Sequence, residues 1–368
     1  MSEPPLYIGM ISGTSRDGVD AALVSFAGNT PKVLAARCDP YPADLRRRLE
    51  ALLGRAQRPT PRAAFDLDRP LAEHFATTAQ RVLADAAVDA GAVAAIGSHG
   101  QTIWHDPDRE PPESLQLGDP QHIANRTGIT TLGDFRRADI EAGGQGAPLA
   151  PLLHRVLFAQ PGATRVVLNL GGIANVSVLN GDGRVTGFDT GPANCLMDAW
   201  IQRHHGAAFD RDGDWAASAN LDPALLEHLL DDPWFARQPP KSTGIEYFNL
   251  DWLDDRLEER PLNAATVQAT LCELTAASVA TAIAASDAED VLVCGGGVHN
   301  RHLLERLRAR LPGLAVRSTG DVGLDPDWIE AILFAWLARE RLAGRSVDTR
   351  AVTGAGQAVQ LGRIARPV

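Results

Sequence analysis

Polar and apolar residues alternate through Val19, Ala21 and Leu23, and this period of two predicts a strand over Val19–Phe26. The apolar run Tyr7–Ser12 precedes it across a Gly-rich turn, GTSRDG, so the chain opens as a hairpin, with a third strand over Lys32–Arg37. Two helical stretches follow near Asp44–Leu53 and Ala63–Ala90, the second with Leu67, Leu71 and Phe75 at i, i+4 spacing. Short apolar runs at Ala94–Gly97 and Ile129–Gly133 read as buried strands that deliver the polar segments SHGQT and DFRRAD. The opening theme returns about 160 residues later: RVVLNLGGIANVSVLN gives strand, Gly-rich turn, strand, and RVTGFDTGPAN a third strand ending at Asp189. Helices are predicted over Leu149–Phe158, Asn194–His205, Pro223–Leu230, Asn263–Ser286, Asn300–Leu311 and Pro326–Ala343, with a strand, Val291–Cys294, running into GGGVHN.

A repeat of that length is not a solenoid period, and it predicts two related α/β domains. The length of 368 residues also points to about two domains. The loop GGQGAP, Gly143–Pro148, is the expected boundary or hinge. The expected division is an N-terminal domain over 1–133 with 344–368, and a C-terminal domain over 134–343. The charged, Pro-bearing stretch Asp231–Lys241 reads as a surface loop.

Composition narrows the function classes. A formal net charge of -11 argues against a broad nucleic-acid surface, which needs many basic contacts to phosphate. A small phosphate ligand stays possible, because a nest of backbone N–H groups holds an anion whatever the net charge. The four cysteines, Cys38, Cys195, Cys272 and Cys294, form no C-x-x-C pair, which suits a reducing compartment and argues against a zinc site. Neither a signal-peptide pattern nor an uninterrupted apolar run long enough to span a bilayer stands out, so a cytoplasmic protein without membrane partners is expected.

Four segments carry candidate chemistry. Gly13–Asp20, that is Gly13, Thr14, Ser15, Arg16, Asp17, Gly18, Val19 and Asp20, lies between two strands and fits neither a Walker loop nor a dinucleotide fingerprint. Such a turn can still aim several N–H groups at a phosphate, or serve only as a tight hairpin. LNLGGIAN repeats the design without charge, with Gly171 and Gly172 allowing close backbone approach and Asn175 beside them. GFDTGPAN sets Asp189 between Gly187 and Gly191 at a strand end, where it suits a general base or caps the next helix. Gly295, Gly296 and Gly297 cost backbone entropy, and passage of a flat ligand such as adenine explains them better than packing, with Asn300 as a helix cap. Among the histidines only His99, at a strand end beside a glycine, stands out.

Together GTSRDGVDAALV, GSHGQT, DFRRADIEAGGQGAPL, NLGGIANVS, GFDTGPAN, CGGGVHN and IEAILFAWLA resemble the anhydro-N-acetylmuramic acid kinases, from near residue 7 to about residue 343. The resemblance implies the two-domain actin-like ATPase (ribonuclease H-like) fold, with the active site in the interdomain cleft. It implies ATP and Mg²⁺ as cofactors and a small anhydro amino sugar as substrate. Gly13–Asp20 resembles the first phosphate loop, Gly171–Asn175 the second, and Gly295–Gly297 with Asn300 the adenosine motif. The superfamily's first loop usually has an Asp ahead of Gly-Thr, where this chain has Met10, Ile11 and Ser12, so the Mg²⁺ ligands stay open, with Asp17 or Asp20 as substitutes.

A 1,6-anhydro sugar has no free 6-hydroxyl. The resemblance therefore implies that Asp189 activates a water that attacks the anomeric carbon while O6 leaves and takes the γ-phosphoryl group. Glu330 resembles the second acidic group, although a carboxylate is also favourable in a helix first turn. Arg136 is the first choice for the substrate's carboxylate, and His99, Gln101 and Thr102 for its remaining polar groups. A conventional kinase for a free hexose or amino sugar, and a nucleotide-driven conformational protein, are the rival classes. Oligomeric state is left open, a homodimer included.

Overall fold

The computed structural model describes residues 4–13, 17–53, 58–106, 109–257 and 261–368. The chain divides into two compact units, Met1–Leu157 with Trp328–Val368, and Phe158–Asp327. In the first unit, β1 (Leu6–Ser12), β2 (Gly18–Ala27) and β3 (Thr30–Pro40) form an antiparallel run. The helices Ala43–Leu53 and Pro61–Ala86 then provide the long crossover that a parallel pairing requires. It leads to β4 (Val93–Asp106), which lies parallel to β1. β5 (Glu113–Leu117) pairs antiparallel with the far half of β4, and β6 (Thr131–Gly133) runs parallel to its near half.

The second unit repeats the plan. β7 (Arg165–Leu170), β8 (Ile173–Leu179) and β9 (Val185–Pro192) form an antiparallel run, and β10 (Asp290–Cys294) and β11 (Ala315–Ser318) extend it in parallel beyond β7. β12 (Arg363–Ala365) returns to the first sheet, antiparallel to β6. The two orders, β12-β6-β4-β1-β2-β3 and β11-β10-β7-β8-β9, share one motif. In each, an antiparallel triplet is extended past its first strand by two parallel strands. This ribonuclease H-like order, present twice, is the α/β actin-like architecture that the sequence predicts.

Each unit buries its own core. Leu67, Leu71 and Phe75 face the first core as their spacing predicts, with Ile8, Val19, Leu23 and Ile96. The helix bearing them starts where Thr60 accepts from the Ala63 N–H and Pro61 fills the first turn. It ends at Ala86, short of the expected Ala90, because Ala87 turns left-handed. In the second core, the helix Ala264–Ala284 is long and apolar enough to cross a membrane but is buried over 83% of its most apolar stretch. It packs with Val166, Leu168 and Val293, so its apolarity is that of a core helix.

The compact units divide elsewhere than expected. The boundary falls after Leu157, not after residue 133, and the helix Ile329–Leu342 belongs with the first unit. Gly9 on β1 and Gly97 on β4 are the cause: a Cβ on either would run into this helix's backbone at Ala331 or Phe334. The GGQGAP loop accordingly lies inside the first unit. The Gly146 N–H donates to the buried carboxylate of Asp139, and so does the Thr353 hydroxyl.

Three further readings are corrected. The last long helix starts at Ile329, since Pro326 gives its carbonyl to the Gly295 N–H instead of opening a helix. Asp231–Lys241 is anchored, with Asp232, Trp234 and Lys241 buried. Asp232 there accepts from the Trp252 ring N–H, the Tyr247 hydroxyl and Arg256. The third strand of the second triplet does not end at Asp189 but runs on to Pro192, where it still pairs with β8.

Candidate active site

In the first unit, three elements converge on Arg136. β4 carries His99, Gln101 and Thr102; β6 ends just before Asp134, Phe135 and Arg136; the helix Ile329–Leu342 carries Glu330. Phe334 packs on the His99 ring at 4.7 Å and on Phe135 at 5.4 Å between centroids. Glu330 lies one turn N-terminal to Phe334 on the same helix face, and it falls within electrostatic reach of Arg136. Burial raises the Glu330 pKa above the ordinary carboxylate value, and the Arg136 charge opposes that rise.

The Arg136 Nε–H donates to His99 Nε2 at 3.1 Å, and its terminal nitrogen donates to the Ser114 hydroxyl at 3.4 Å. His99 Nδ1 lies 3.1 Å from the Gly100 carbonyl, which can only accept, so the proton sits on Nδ1 and Nε2 is the acceptor. Burial and the Arg136 charge hold the His99 pKa well below its usual value, and push His105 down to about 3. Both therefore stay neutral beside the guanidinium. Gln101 is committed too. Its Oε1 accepts from the Ser12 hydroxyl at 2.6 Å, and its amide donates to the Gly13 carbonyl at 3.4 Å, tying β4 to the first loop. Thr102 accepts from Gln116 at 3.3 Å. Thr14, Ser15 and Arg16 lie outside the described residues. Gly18 has a packing reason of its own, since a Cβ there would strike the Asp39 carbonyl. Asp17 and Asp20 both act electrostatically on the Cys38 thiol, so the two carboxylates share one neighbourhood. Val19 is buried in the core.

In the second unit, Asp189 on β9 lies opposite Asn175 on β8. It is 8% exposed, and its Oδ2 accepts from the Thr243 N–H at 2.8 Å while its own N–H donates to the Lys241 carbonyl at 3.1 Å. At the helix Asn194–His205 the N-cap position is Ala193, which has no side chain to cap with. A hydrogen bond to a charged group contributes about 1.5–3 kcal/mol, which makes the Thr243 contact a strong fixture for that carboxylate. The buried Oδ1 of Asn175 finds no partner among the described residues. The carbonyls of Gly171 and Gly172 accept from Asn194, Ala193 and Cys195, so the second loop is shaped by the start of the helix behind it.

The three successive glycines separate into two kinds. Gly295 has a φ of +79°, and a Cβ on Gly297 would collide with Leu170, so conformation and packing account for both. Gly296 meets nothing within 4 Å, and no fold constraint explains it. Asn300 is a helix cap, accepting from the Leu303 N–H at 2.9 Å.

Sequence reading missed Ser12, Phe334 and the strip Lys241–Thr243. Nothing in the local pattern marks them, because each acts through a partner distant in the chain.

A family model for anhydro-N-acetylmuramic acid kinase matches residues 5–367. An anhydro-N-acetylmuramic acid kinase of Xanthomonas axonopodis pv. citri is 51% identical over 98% of this chain and 98% of its own. That of Vibrio cholerae serotype O1 is 46% identical over the full length of both chains. With the doubled strand order and the Asp189 and Arg136 neighbourhoods in place, a match of this extent shows that the chain belongs to the anhydro-N-acetylmuramic acid kinase family.

Proposed function

We propose that this protein opens 1,6-anhydro-N-acetylmuramic acid with water and transfers the γ-phosphoryl group of ATP to O6, giving N-acetylmuramic acid 6-phosphate for peptidoglycan recycling in the cytoplasm. The observation that supports the reading best is Asp189, a nearly buried carboxylate within β9 whose Oδ2 accepts from the Thr243 backbone N–H. Asp189 takes a proton from water, the water oxygen bonds to the anomeric carbon, the C1–O6 bond breaks with its electron pair going to O6, and O6 takes the γ-phosphoryl group as the Pγ–O bond to ADP breaks and ADP leaves. Phosphorylation thus stabilises the leaving oxygen as an acid would in a glycosidase. A base positioned in this way contributes about 10²–10⁴-fold.

Arg136 binds the lactyl carboxylate, its guanidinium aimed by its contacts to His99 and Ser114. Glu330 serves as the second acidic group of the reaction, and Thr102 reaches a sugar hydroxyl. The first loop from Gly13 to Asp20 and the second from Gly171 to Asn175 take the phosphates, and Gly296 lets the nucleoside pass close to the backbone. Mg²⁺ keeps several waters and needs only one or two carboxylates besides phosphate oxygens. The donor set of Asp17 and Asp20 at the first loop suits it, and when bound it neutralises phosphate charge. The test is a coupled ADP-release assay against anhydro and free amino sugars and free hexoses. Turnover confined to the anhydro sugar is expected; equal turnover of a free hexose would make this a conventional sugar kinase.

A further inference from the structure

The chain uses arginine 33 times and lysine twice, and one of the two lysines is buried beside Asp189. Lys241 Nζ donates to the Phe235 carbonyl at 3.1 Å and sits over the Trp234 ring, 4.4 Å from its centroid. Phe235 and Trp234 are themselves locked by Phe248, and Phe235 packs so closely under Gly191 that a Cβ there would meet its ring at 2.7 Å. The ammonium is thus fixed at the loop segment that supports the end of β9. The backbone that follows it makes both contacts to the base: the Lys241 carbonyl to the Asp189 N–H, and the Thr243 N–H to Oδ2.

We infer that Lys241 is a positioning residue for the base: its anchored ammonium fixes the Lys241–Thr243 strip that holds Asp189 and keeps that carboxylate ionised. The inference rests on the reading of Asp189 as base. A surface cation would pay nothing for its place, but this one does. Burial lowers the Lys241 pKa and Arg237 lowers it further, with the Asp189 charge opposing both. Two other elements pack against this part of β9. β8 presents neutral Asn175. The helix Ala264–Ala284 brings Ser278 near Gly191, turns its Glu273 to Arg306 and Arg310, and holds the Cys272 thiol up at about 12.

The experiment compares pH profiles of kcat/KM for Lys241→Met, Lys241→Arg and Asp189→Asn in the full-length enzyme, with thermal melting alongside. Loss of the neighbouring cation favours the protonated base, so the acidic limb of Lys241→Met should move up by about one pH unit or more. Lys241→Arg should keep the parental limb. Should Lys241→Met melt early, Lys241→Gln, which retains a donor for Phe235, is read in its place. An unshifted limb in the neutral variant, with Asp189→Asn inactive, overturns the inference alone. A Lys241→Arg profile displaced as far as that of Lys241→Met overturns it too. An active Asp189→Asn removes the base and takes this inference with it.

Discussion

Arg136 hands its Nε–H to His99 Nε2 at 3.1 Å, and His99 is fixed in that role by its own Nδ1 contact to the Gly100 carbonyl. Both ring nitrogens are used inside the protein, so His99 orients Arg136 instead of meeting substrate directly. Arg136→Ala should raise KM for the sugar more than it lowers kcat, if the guanidinium grips the carboxylate equally in ground and transition states. His99→Ala should move KM in the same direction by less, since the charge remains and only its aim is lost. Steady-state kinetics decide this, and unchanged KM in Arg136→Ala would pass the role to Arg137.

Oxygen from water should end on the anomeric carbon. A turnover run in ¹⁸O-water is expected to label the anomeric hydroxyl of the product and leave the phosphate unlabelled, read by mass spectrometry. Label on phosphate would mean ATP hydrolysis without ring opening.

Gly296→Ala and Gly297→Ala should part company. The first meets no atom within 4 Å and should leave the melting temperature near that of the parent while raising KM for ATP. The second drives a methyl into Leu170 and should lose about 1–3 kcal/mol of stability. Equal effects from both substitutions would dissolve the distinction.

Glu330 predicts a pH-dependent stability of unusual sign for a carboxylate. Its folded pKa is raised by burial, so over the window above the unfolded value of 4.5 the native state binds more protons than the unfolded one. The penalty is absent below that window and grows as pH rises through it. Glu330→Gln should therefore melt higher than the parent at pH 8 and show little gain at pH 4, while turnover falls. Thermal scans at the two pH values check it, and a gain only at pH 4 would reverse the argument.

Asp189→Asn should keep fold and ligand binding and lose turnover by at least about 10²-fold, roughly 2.7 kcal/mol in the barrier. The amide Oδ1 can still accept from the Thr243 N–H, but it cannot hold water's proton. Calorimetric titration with the coupled assay tests both halves, and activity within tenfold of the parent would leave Glu330 as the base.

Local patterning determined much of this protein. Alternation in Val19, Ala21 and Leu23, the i, i+4 series Leu67, Leu71 and Phe75, and the Gly-rich turns were enough to predict the doubled strand–turn–strand plan, because hydrophobic periodicity follows directly from backbone geometry. Motif spelling brought Asp189, Arg136 and Glu330 forward as candidates. Tertiary structure alone decided what these residues lean on. Gly9 and Gly97 admit the backbone of Ile329–Leu342 against the first sheet, which moves that helix and Glu330 into the first unit. Phe334 then links the helix to His99 and Phe135. Lys241, at the end of a stretch that reads as a surface loop, and Thr243 just beyond it close on Asp189 from 52 and 54 positions away. Pairings of that range leave no periodic trace, since they depend on where the chain returns and not on what precedes or follows each residue.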